Sequence, residues 1–240
     1  MNIIIPMAGR GSRFTEKKIL IPKPLIDIHG KPMIQRAVES LDLDGQWKFI
    51  IRIDEHMDRV SSMIQNIKPG SDVINIDYVT EGPASTALLF KDDINTDEEL
   101  IIANCDQIME WTSNRFLDYV RYYDGAVVTY HADTDKNSYA RVNKEGLVQE
   151  IREKQVISNI SLNGIHDWKK GRYFVEAALA MIEANDRAPN GEFYIGPSYN
   201  HMIAQGHNVG IYHIPNQFHH PVGVPDDLDK FIRYENSKTF

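Results

Sequence analysis

The chain has 240 residues, of which 42% are hydrophobic and 25% are charged, and its formal net charge is −8. This balance is typical of a globular protein with a sizeable core and excludes a disordered chain. No apolar run approaches the roughly 18 residues of a spanning helix, so we expect no membrane partner. The acidic charge argues against nucleic acid as a partner, because affinity for that backbone comes from Lys and Arg.

A single cysteine, Cys105, is present. One thiol excludes an internal disulfide and a cysteine-based zinc site. The first residues also lack the basic segment and long apolar stretch of a signal peptide. We therefore expect a cytoplasmic protein, which agrees with the low cysteine content.

Short apolar runs alternate with helical periodicity through the first half of the chain. Apolar strands separated by helices are typical of a parallel sheet with both faces covered. This half therefore predicts an α/β fold with a Rossmann-like, mostly parallel sheet and helices on both faces. The predicted elements are strands at 3–5, 49–51, 73–79 and 100–103, and helices at 32–41, 57–67 and 83–90.

The second half predicts a mixed β/α lobe that extends the sheet and closes over it. We expect one domain over residues 1–240, with halves at 1–122 and 123–240. The predicted elements here are strands at 126–131, 139–143, 148–152, 157–165 and 209–214, and helices at 173–183 and 194–204.

A glycine-rich loop follows the first predicted strand, at the edge where α/β sheets bind ligands. Its glycines let backbone N–H groups approach phosphate oxygens, and its arginine adds a bidentate donor. Lys23, between two prolines, adds a second positive charge. These features predict a polyphosphate site. The loop residues assigned to it are Ala8, Gly9, Gly11, Ser12 and Arg13.

Two better-known phosphate loops are excluded. A P-loop closes with Gly-Lys-Ser/Thr, which does not occur in this sequence. A dinucleotide fingerprint needs a third glycine where this chain has Phe14.

The order strand, Gly-x-Gly-x-Arg-Phe and Lys-Pro-Leu resembles the N-terminal signature of the sugar-phosphate nucleotidyltransferases. The resemblance implies transfer of a nucleotide from a nucleoside triphosphate to a sugar 1-phosphate or another small phosphate, with release of pyrophosphate. It also implies that residues 1–122 bind the nucleotide, that residues 123–240 bind the acceptor, and that the product serves surface-glycan synthesis. The matching residues are Gly9, Gly11, Arg13, Phe14, Lys23, Pro24 and Leu25.

The resemblance implies roles on the nucleotide side. Arg13 and Lys23 would be catalytic, since they would neutralise the pyrophosphate and the α-phosphate. Asp106, after a buried strand, would contact the nucleotide and hold the cofactor Mg²⁺. The Glu81-Gly82 turn resembles the base-recognising turn. An ionised carboxylate only accepts hydrogen bonds, so Glu81 predicts a preference for pyrimidine triphosphates.

On the acceptor side, the resemblance implies four contacts. Lys154 follows Glu153 in a segment that resembles the family's phosphate-binding Glu-Lys-Pro. The full set is Lys154, Asn163, Gly164 and Glu192.

One departure concerns the metal. The family has a second metal-binding aspartate two residues before the glycine of a late motif, and this chain has Pro221 there, followed by Val222. The second ligand is therefore not assigned.

Two other functions stay open. A GT-A-type glycosyltransferase expects Asp-x-Asp where this chain has Asn104-Cys105-Asp106. A non-catalytic nucleotide-binding paralogue would explain the missing late aspartate. The sequence also leaves a homo-oligomer open.

Overall fold

The first half of the chain builds the parallel part of a central sheet in a computed structural model that describes residues 1–9, 12–19 and 21–238. Short 3₁₀ turns lie at Lys23–Leu25 and Leu88–Phe90. The strands and helices are β1 (Asn2–Pro6), α1 (Ser12–Glu16), β2 (Asp27–Ile28), β3 (Lys31–Pro32), α2 (Met33–Leu41), β4 (Gln46–Arg52), α3 (Met57–Ile67), β5 (Asp72–Ile76), α4 (Pro83–Ala87), α5 (Lys91–Ile94), β6 (Leu100–Ala103), β7 (Gln107–Met109) and α6 (Ser113–Val120).

The second half adds antiparallel strands and the last helices. A third 3₁₀ turn lies at Asn216–Phe218. The strands and helices are β8 (Gly125–His131), β9 (Ser138–Val142), β10 (Val148–Glu153), β11 (Ile160–Trp168), α7 (Gly171–Glu183), α8 (Ile195–Ala204), β12 (Val209–His213), β13 (His219–Pro221) and α9 (Pro225–Lys238).

Within the described part of the chain, nine strands form the main sheet. Strands β5, β4, β1 and β6 are parallel neighbours in that order. Strand β11 runs antiparallel between β6 and β8, and β12 pairs in parallel with β8. The β9–β10 hairpin extends from the start of β11. The prediction of a mostly parallel Rossmann-like sheet with a mixed extension is confirmed.

Helices cover both faces of this sheet, as predicted. Successive residues of a strand point to opposite faces. Ile4 of β1 therefore packs in one apolar cluster with residues of α7 and α8, while Ile3 and Ile5 pack in another with residues of α2, α3 and α6. Each fully buried aliphatic side chain of this kind stabilises the fold by about 1.5–3 kcal/mol.

A third apolar cluster lies at the edge of the sheet and connects distant parts of the chain. Phe14 and Met33 pack there against Val222 and Phe231. The cluster fixes β13 and α9 against the segment that carries Lys23, so it determines what surrounds that lysine.

Several element boundaries differ from the sequence prediction. The strand predicted at 73–79 ends at Ile76, and the helix predicted at 83–90 is α4 followed by a 3₁₀ turn. Strand β11 ends at Trp168 rather than at residue 165, because polar residues continue it in the core. Helices α6 and α9 were not predicted. No helix within the described ranges is long and apolar enough to cross a membrane.

A buried carboxyl pair lies near the amino ends of the parallel strands. Asp167 is fully buried on β11, and within the described residues neither of its oxygens receives a hydrogen bond from a donor. Burial, together with the neighbouring Glu99 carboxyl, raises the pKa of Asp167 well above its usual range. Burial also raises the pKa of Glu99. The two carboxyls can bond to each other only when one of them is protonated.

This pair should make the protein less stable as pH rises. A carboxyl with a raised pKa in the folded state contributes stability below its unfolded pKa and loses it as pH rises through the folded value. We predict that Asp167→Asn, which donates a hydrogen bond without a charge, is more stable than the wild type at pH 8 by about 1–3 kcal/mol. The gain should shrink towards pH 4. Urea denaturation of both proteins across this range measures it, and a pH-independent difference would contradict the explanation.

Candidate active site

A cleft of about 960 Å³ lies beyond the carboxyl ends of the parallel strands, between the sheet and the second-half lobe. Both halves of the chain line it, which brings together residues that the sequence places far apart. Those assigned to the site from the sequence and found along this cleft are Arg13, Asp106, Lys154, Asn163 and Gly164.

Lys23 and Asp106 form an ion pair at the edge of this cleft. Their side chains are only 19% and 23% exposed. Lys23 lies in a turn between two prolines, and Asp106 follows β6. Burial alone would lower the pKa of Lys23, but the Asp106 carboxylate outweighs it and raises that pKa. Lys23 is therefore a stable cation next to a partly buried anion.

The connection from β13 to α9 holds this ion pair in place. The Val222 amide donates to the Asp106 carbonyl at 2.9 Å. A Cβ atom at Gly223 would overlap the Asp106 carboxylate and would touch Lys23 Nζ at 3.4 Å. Glycine is thus required where the chain passes over the pair.

A second cavity, of about 260 Å³, lies on the other side of the pair. Gly9, Lys23 and Arg52 line it, and it shares Asn104 and Asp106 with the larger cleft. The ion pair therefore stands at the boundary between two cavities.

Lys154 lies just after β10, with the left-handed backbone conformation φ 55°. Its amide donates to the Asn137 carbonyl at 2.9 Å. Its ammonium donates to the Tyr194 hydroxyl at 2.9 Å and lies 5.1 Å from the centre of that ring. An ammonium has three donors, so Lys154 keeps capacity for an anion in the cleft.

Asn163 and Gly164 form an irregularity in β11. Gly164 has φ 90°, and a Cβ there would overlap the side-chain amides of Asn104 and Gln107. Asn163 is buried, and its side chain accepts from the Ile165 amide at 3.0 Å. The Asn163 side chain is therefore engaged within the strand, and Gly164 allows the amides to pack at the floor of the cleft.

The Glu81 side chain does not line the cleft. Its carboxylate accepts from Arg187 Nη2 at 2.7 Å instead. Gly82 has φ 136°, and a Cβ there would overlap the Phe193 backbone. The turn is held by hydrogen bonds from the Phe193 amide to the Glu81 carbonyl at 2.8 Å and from the Ala84 amide to the Phe193 carbonyl at 3.0 Å. Sequence reasoning missed Arg187, which is 106 residues away.

Glu192 lies on the loop between α7 and α8. It accepts from the Asn190 side chain at 2.8 Å, and the same amide group donates to the Tyr194 hydroxyl at 3.0 Å. Burial, together with Glu192, raises the pKa of Tyr194, so this hydroxyl stays protonated. Glu192 thus acts on Lys154 through Tyr194.

The glycine-rich loop is described in part. Ala8 is buried two residues after β1, and Gly9 is exposed, with no atom of the described residues within 4 Å of a Cβ built on it. Gly11 lies outside the described residues. Ser12 begins α1, and its side chain lies outside the described part.

The buried groups along the cleft that were not assigned from the sequence include Glu153 and His166. Glu153 accepts from Ser138 Oγ, and burial raises its pKa. His166 is buried, and burial lowers its pKa to about 3, so it is neutral. The Glu153-Lys154 motif could have identified Glu153 from the sequence. No local sequence pattern identifies His166, which follows the irregularity in β11.

The donor set for a cation is limited. Among the described residues, no group of three or more His, Cys, Asp or Glu side chains could hold a metal ion. Asp106 supplies one carboxylate beside the amide of Asn104. Asp227 also lines the cleft but is paired with Lys230 at 2.9 Å. Oxygen donors of this kind fit Mg²⁺ when substrate phosphates complete the coordination.

Comparison with known proteins agrees with this geometry. The model of the MobA-like NTP transferase domain family matches residues 3–187. The bifunctional protein GlmU of Methanocaldococcus jannaschii is 26% identical over 238 residues, which cover 98% of this chain and 54% of that protein. The chain thus spans about half the length of the curated relatives it matches.

Solved structures share the fold. A nucleoside-diphosphate-sugar pyrophosphorylase from Vibrio cholerae superposes with a TM-score of 0.86 at 23% identity, covering 96% of this chain and 99% of that one. The inositol-1-phosphate CTP transferase of T. maritima superposes with a TM-score of 0.76 at 14% identity, covering 97% and 93%. The resemblance inferred from the N-terminal signature is confirmed.

Gly223, beside the Lys23–Asp106 pair, and Gly9, in the glycine-rich loop, should respond differently to substitution. We predict that Gly223→Ala separates Lys23 from Asp106 and destabilises the fold by about 1–3 kcal/mol, because a partly buried charge loses its partner. The pKa of Lys23 should then fall, since burial is no longer outweighed. Urea denaturation and the pH dependence of Lys23 acylation, followed by mass spectrometry, measure both effects.

Gly9→Ala is the matched control, since a methyl group at Gly9 meets no atom of the residues that the structure describes. We expect its unfolding free energy and Lys23 labelling to equal those of the wild type. Equal behaviour of both variants would show that Gly223 does not hold the pair.

Proposed function

The chain belongs to the MobA-like NTP transferase domain family, and we propose that it joins a nucleoside triphosphate to a sugar 1-phosphate or another small phosphate, with release of pyrophosphate. One observation carries this proposal: the Lys23–Asp106 ion pair stands between two cavities that share its carboxylate. Such an arrangement offers a charged centre with room on both sides. The family match also favours transfer of a nucleotide over a GT-A-type glycosyltransferase.

The reaction needs alignment and charge stabilisation more than covalent chemistry. An oxygen of the acceptor phosphate forms a bond to the α-phosphorus, and the bond from that phosphorus to the bridging oxygen breaks. The electron pair of the broken bond leaves with pyrophosphate. Attacking and leaving oxygens stand roughly in line, so the acceptor and the pyrophosphate need space on opposite sides of the α-phosphate.

The larger cleft suits the acceptor. Lys154 is anchored by Tyr194 and has two further donors for a phosphate. The buried Glu153, beside Lys154, is suited to a hydroxyl or amine on the rest of the acceptor.

Lys23 suits the α-phosphate. The Asp106 carboxylate neutralises its charge at close range. A phosphate that draws the ammonium away would receive a localised charge in a partly desolvated place, where it stabilises the transition state more than it would in water. Arg13 lines the larger cleft close enough to Lys23 for its charge to act on that lysine, and from there it would neutralise the leaving pyrophosphate.

Asp106, once released by Lys23, would be free to hold Mg²⁺ together with phosphate oxygens. The ion would supply Lewis-acid charge to those oxygens. Asp106 Oδ2 is engaged by Lys23 in the free protein, so the metal has to compete for its carboxylate. The nucleotide would therefore bring the metal with it.

A preference for pyrimidine triphosphates, a cytoplasmic location, a role in surface-glycan synthesis and a homo-oligomer stay predictions. The Glu81 carboxylate faces Arg187, so a base that bonds to Glu81 has to share it with that guanidinium.

A pyrophosphate-release screen tests the activity. We expect release only when one of the nucleoside triphosphates, including dTTP, is mixed with a suitable sugar or non-sugar phosphate and Mg²⁺. Arg13→Ala should lower turnover about 10²–10³-fold with the fold intact, as for loss of one charge-stabilising donor. Release with no acceptor dependence would refute the transferase and indicate hydrolysis of the triphosphate, and no release with any pair would favour nucleotide binding without turnover.

Lys154→Met should raise the KM for the acceptor phosphate far more than it raises the KM for the nucleotide. The reason is that Lys154 bonds to Tyr194 in the acceptor lobe. Lys170→Met, which removes a lysine paired with Asp97 away from the cleft, is the control. Equal changes of both KM values in Lys154→Met would contradict the assignment.

Metal binding should depend on the nucleotide. We predict that calorimetry detects weak Mg²⁺ binding to the ligand-free protein and clear binding once a triphosphate is present. Asp106→Asn should keep the fold and much of the nucleotide affinity but lose most turnover. Tight Mg²⁺ binding without nucleotide would reveal a second ligand, and an active Asp106→Asn variant would place the metal elsewhere.

A further inference from the structure

The guanidinium of Arg187 joins the turn before α4 to residues 185–191 of the loop between α7 and α8, in addition to the backbone hydrogen bonds that Phe193 makes with this turn. Its three nitrogens contact three groups. Nε donates to Asn185 Oδ1 at 2.6 Å, Nη1 to the Gly191 carbonyl at 2.8 Å, and Nη2 to Glu81 Oε1 at 2.7 Å. The guanidinium carbon also lies 4.0 Å from the centre of the Phe193 ring. Arg187 is therefore fixed by both segments at once.

The loop that Arg187 holds is internally hydrogen-bonded. The Ala188 amide donates to the Glu192 carbonyl at 3.0 Å, and the Gly191 amide donates to the Ala188 carbonyl at 2.8 Å. The Asn190 side chain then bridges Glu192 and the Tyr194 hydroxyl. A change in the position of this loop therefore alters the hydrogen bond between Asn190 and the Tyr194 hydroxyl.

Tyr194 is the group that anchors the ammonium of Lys154, at 2.9 Å. A continuous set of contacts thus runs from Glu81, through Arg187 and its loop, to Tyr194 and Lys154. One end belongs to the nucleotide side of the proposed site and the other to the acceptor side.

The Arg187–Glu81 ion pair is partly exposed, and pairs of this kind contribute little to overall stability. The fork of the guanidinium, however, fixes the relative position of the groups it bridges, which a lysine cannot do. Its geometry is therefore better suited to linking two segments than to stabilising the fold.

We propose that Arg187 is a positioning residue that couples nucleotide binding to ordering of the acceptor loop. The proposal rests on the proposed function, because it needs a nucleotide at the turn before α4 and an acceptor at Lys154. A nucleotide that packs against the Glu81 turn immobilises it, and Arg187 carries this restriction to residues 185–194. The acceptor then meets a loop that is already ordered and loses less conformational entropy on binding. The coupling is reciprocal, so the acceptor also tightens the nucleotide.

Hydrogen exchange of the full chain measures this coupling without turnover. The probes are ATP, GTP, CTP, UTP and dTTP, each with Mg²⁺. The reporters are the Ala188 and Gly191 amides, which bond within the loop and not to the Glu81 turn. In the wild type, the nucleotide that binds should slow both amides about 5-fold or more.

In Arg187→Met, the same nucleotide should still slow exchange at the Thr86 amide, which bonds to the Gly82 carbonyl of the turn, but should leave Ala188 and Gly191 unchanged. The quantity compared is the ratio of rates with and without nucleotide. This ratio can still be measured if the substitution itself loosens the loop and speeds exchange in both samples. The KM for the acceptor should rise while kcat at saturation stays near that of the wild type.

Arg172→Met is the matched control. Arg172 is 38% exposed against 31% for Arg187, bonds to a carboxylate of Asp97 at 2.6 Å, and lies 4.9 Å from the centre of the Tyr173 ring. It repeats the local contacts of Arg187 away from the cleft. We expect it to show the wild-type exchange pattern.

The outcomes separate the two proposals. Nucleotide protection at the turn with no change at Ala188 and Gly191 in the wild type overturns the coupling and leaves the proposed function standing. Slowing of the two reporters that persists in Arg187→Met overturns the role of Arg187 in the same way. If no triphosphate changes exchange anywhere, both the coupling and the proposed function are wrong.

Discussion

The structure of the site depends on keeping two opposite charges together in a partly desolvated place. Lys23 and Asp106 come from turns 83 residues apart, and neither is fully hydrated. Removing one partner of such a pair leaves a charge that the surroundings do not compensate, whereas the intact pair is tolerated. The elements around it therefore have to fix both turns. Strand β6 ends just before Asp106, and the prolines that flank Lys23 restrict its backbone.

The late part of the chain supplies the rest of this support. Val222 is buried in the third apolar cluster, and its amide holds the carbonyl of Asp106. Gly223 then passes over the carboxylate where a larger residue would overlap it. Apolar packing of β13 and α9 thus positions charged groups at the boundary of two cavities, which is how the fold of the second half determines the electrostatics of the first.

The sequence predicted the elements whose signal is local. Runs of apolar residues predicted β1 and β6, and apolar residues spaced three and four positions apart predicted α2 and α3. Helix α9 was missed because it is mostly polar, with Leu228 and Phe231 as its buried apolar residues. The end of β11 was missed because His166 and Asp167 are buried despite their polarity. The burial of these residues depends on tertiary contacts, and the spacing of apolar residues along the chain does not reveal such contacts.

The candidate site shows the same division. Motifs located Lys23, Asp106 and Lys154 along the cavities, because each follows or precedes a recognisable strand or proline. The direction of the Glu81 side chain could not be predicted, since its partner Arg187 lies on a distant loop. A motif specifies where the backbone turns, but the orientation of a charged side chain depends on which opposite charge the fold brings near it.

The departure from the family pattern at Pro221 and Val222 has a physical consequence for the metal. Where the resemblance leads one to expect a carboxylate, this chain has Pro221 in a short strand paired with β7 and Val222 in the apolar core. Pro221 lines the larger cleft but its side chain offers no ligand oxygen, and a carboxylate at the neighbouring, buried Val222 would be costly without a permanent partner. The chain instead uses this segment for packing and for the amide that holds Asp106. Under the proposed function, negative charge for a cation would come largely from the triphosphate, which carries its own oxygen ligands. The Lys23–Asp106 pair itself balances one positive and one negative charge at the boundary of the two cavities.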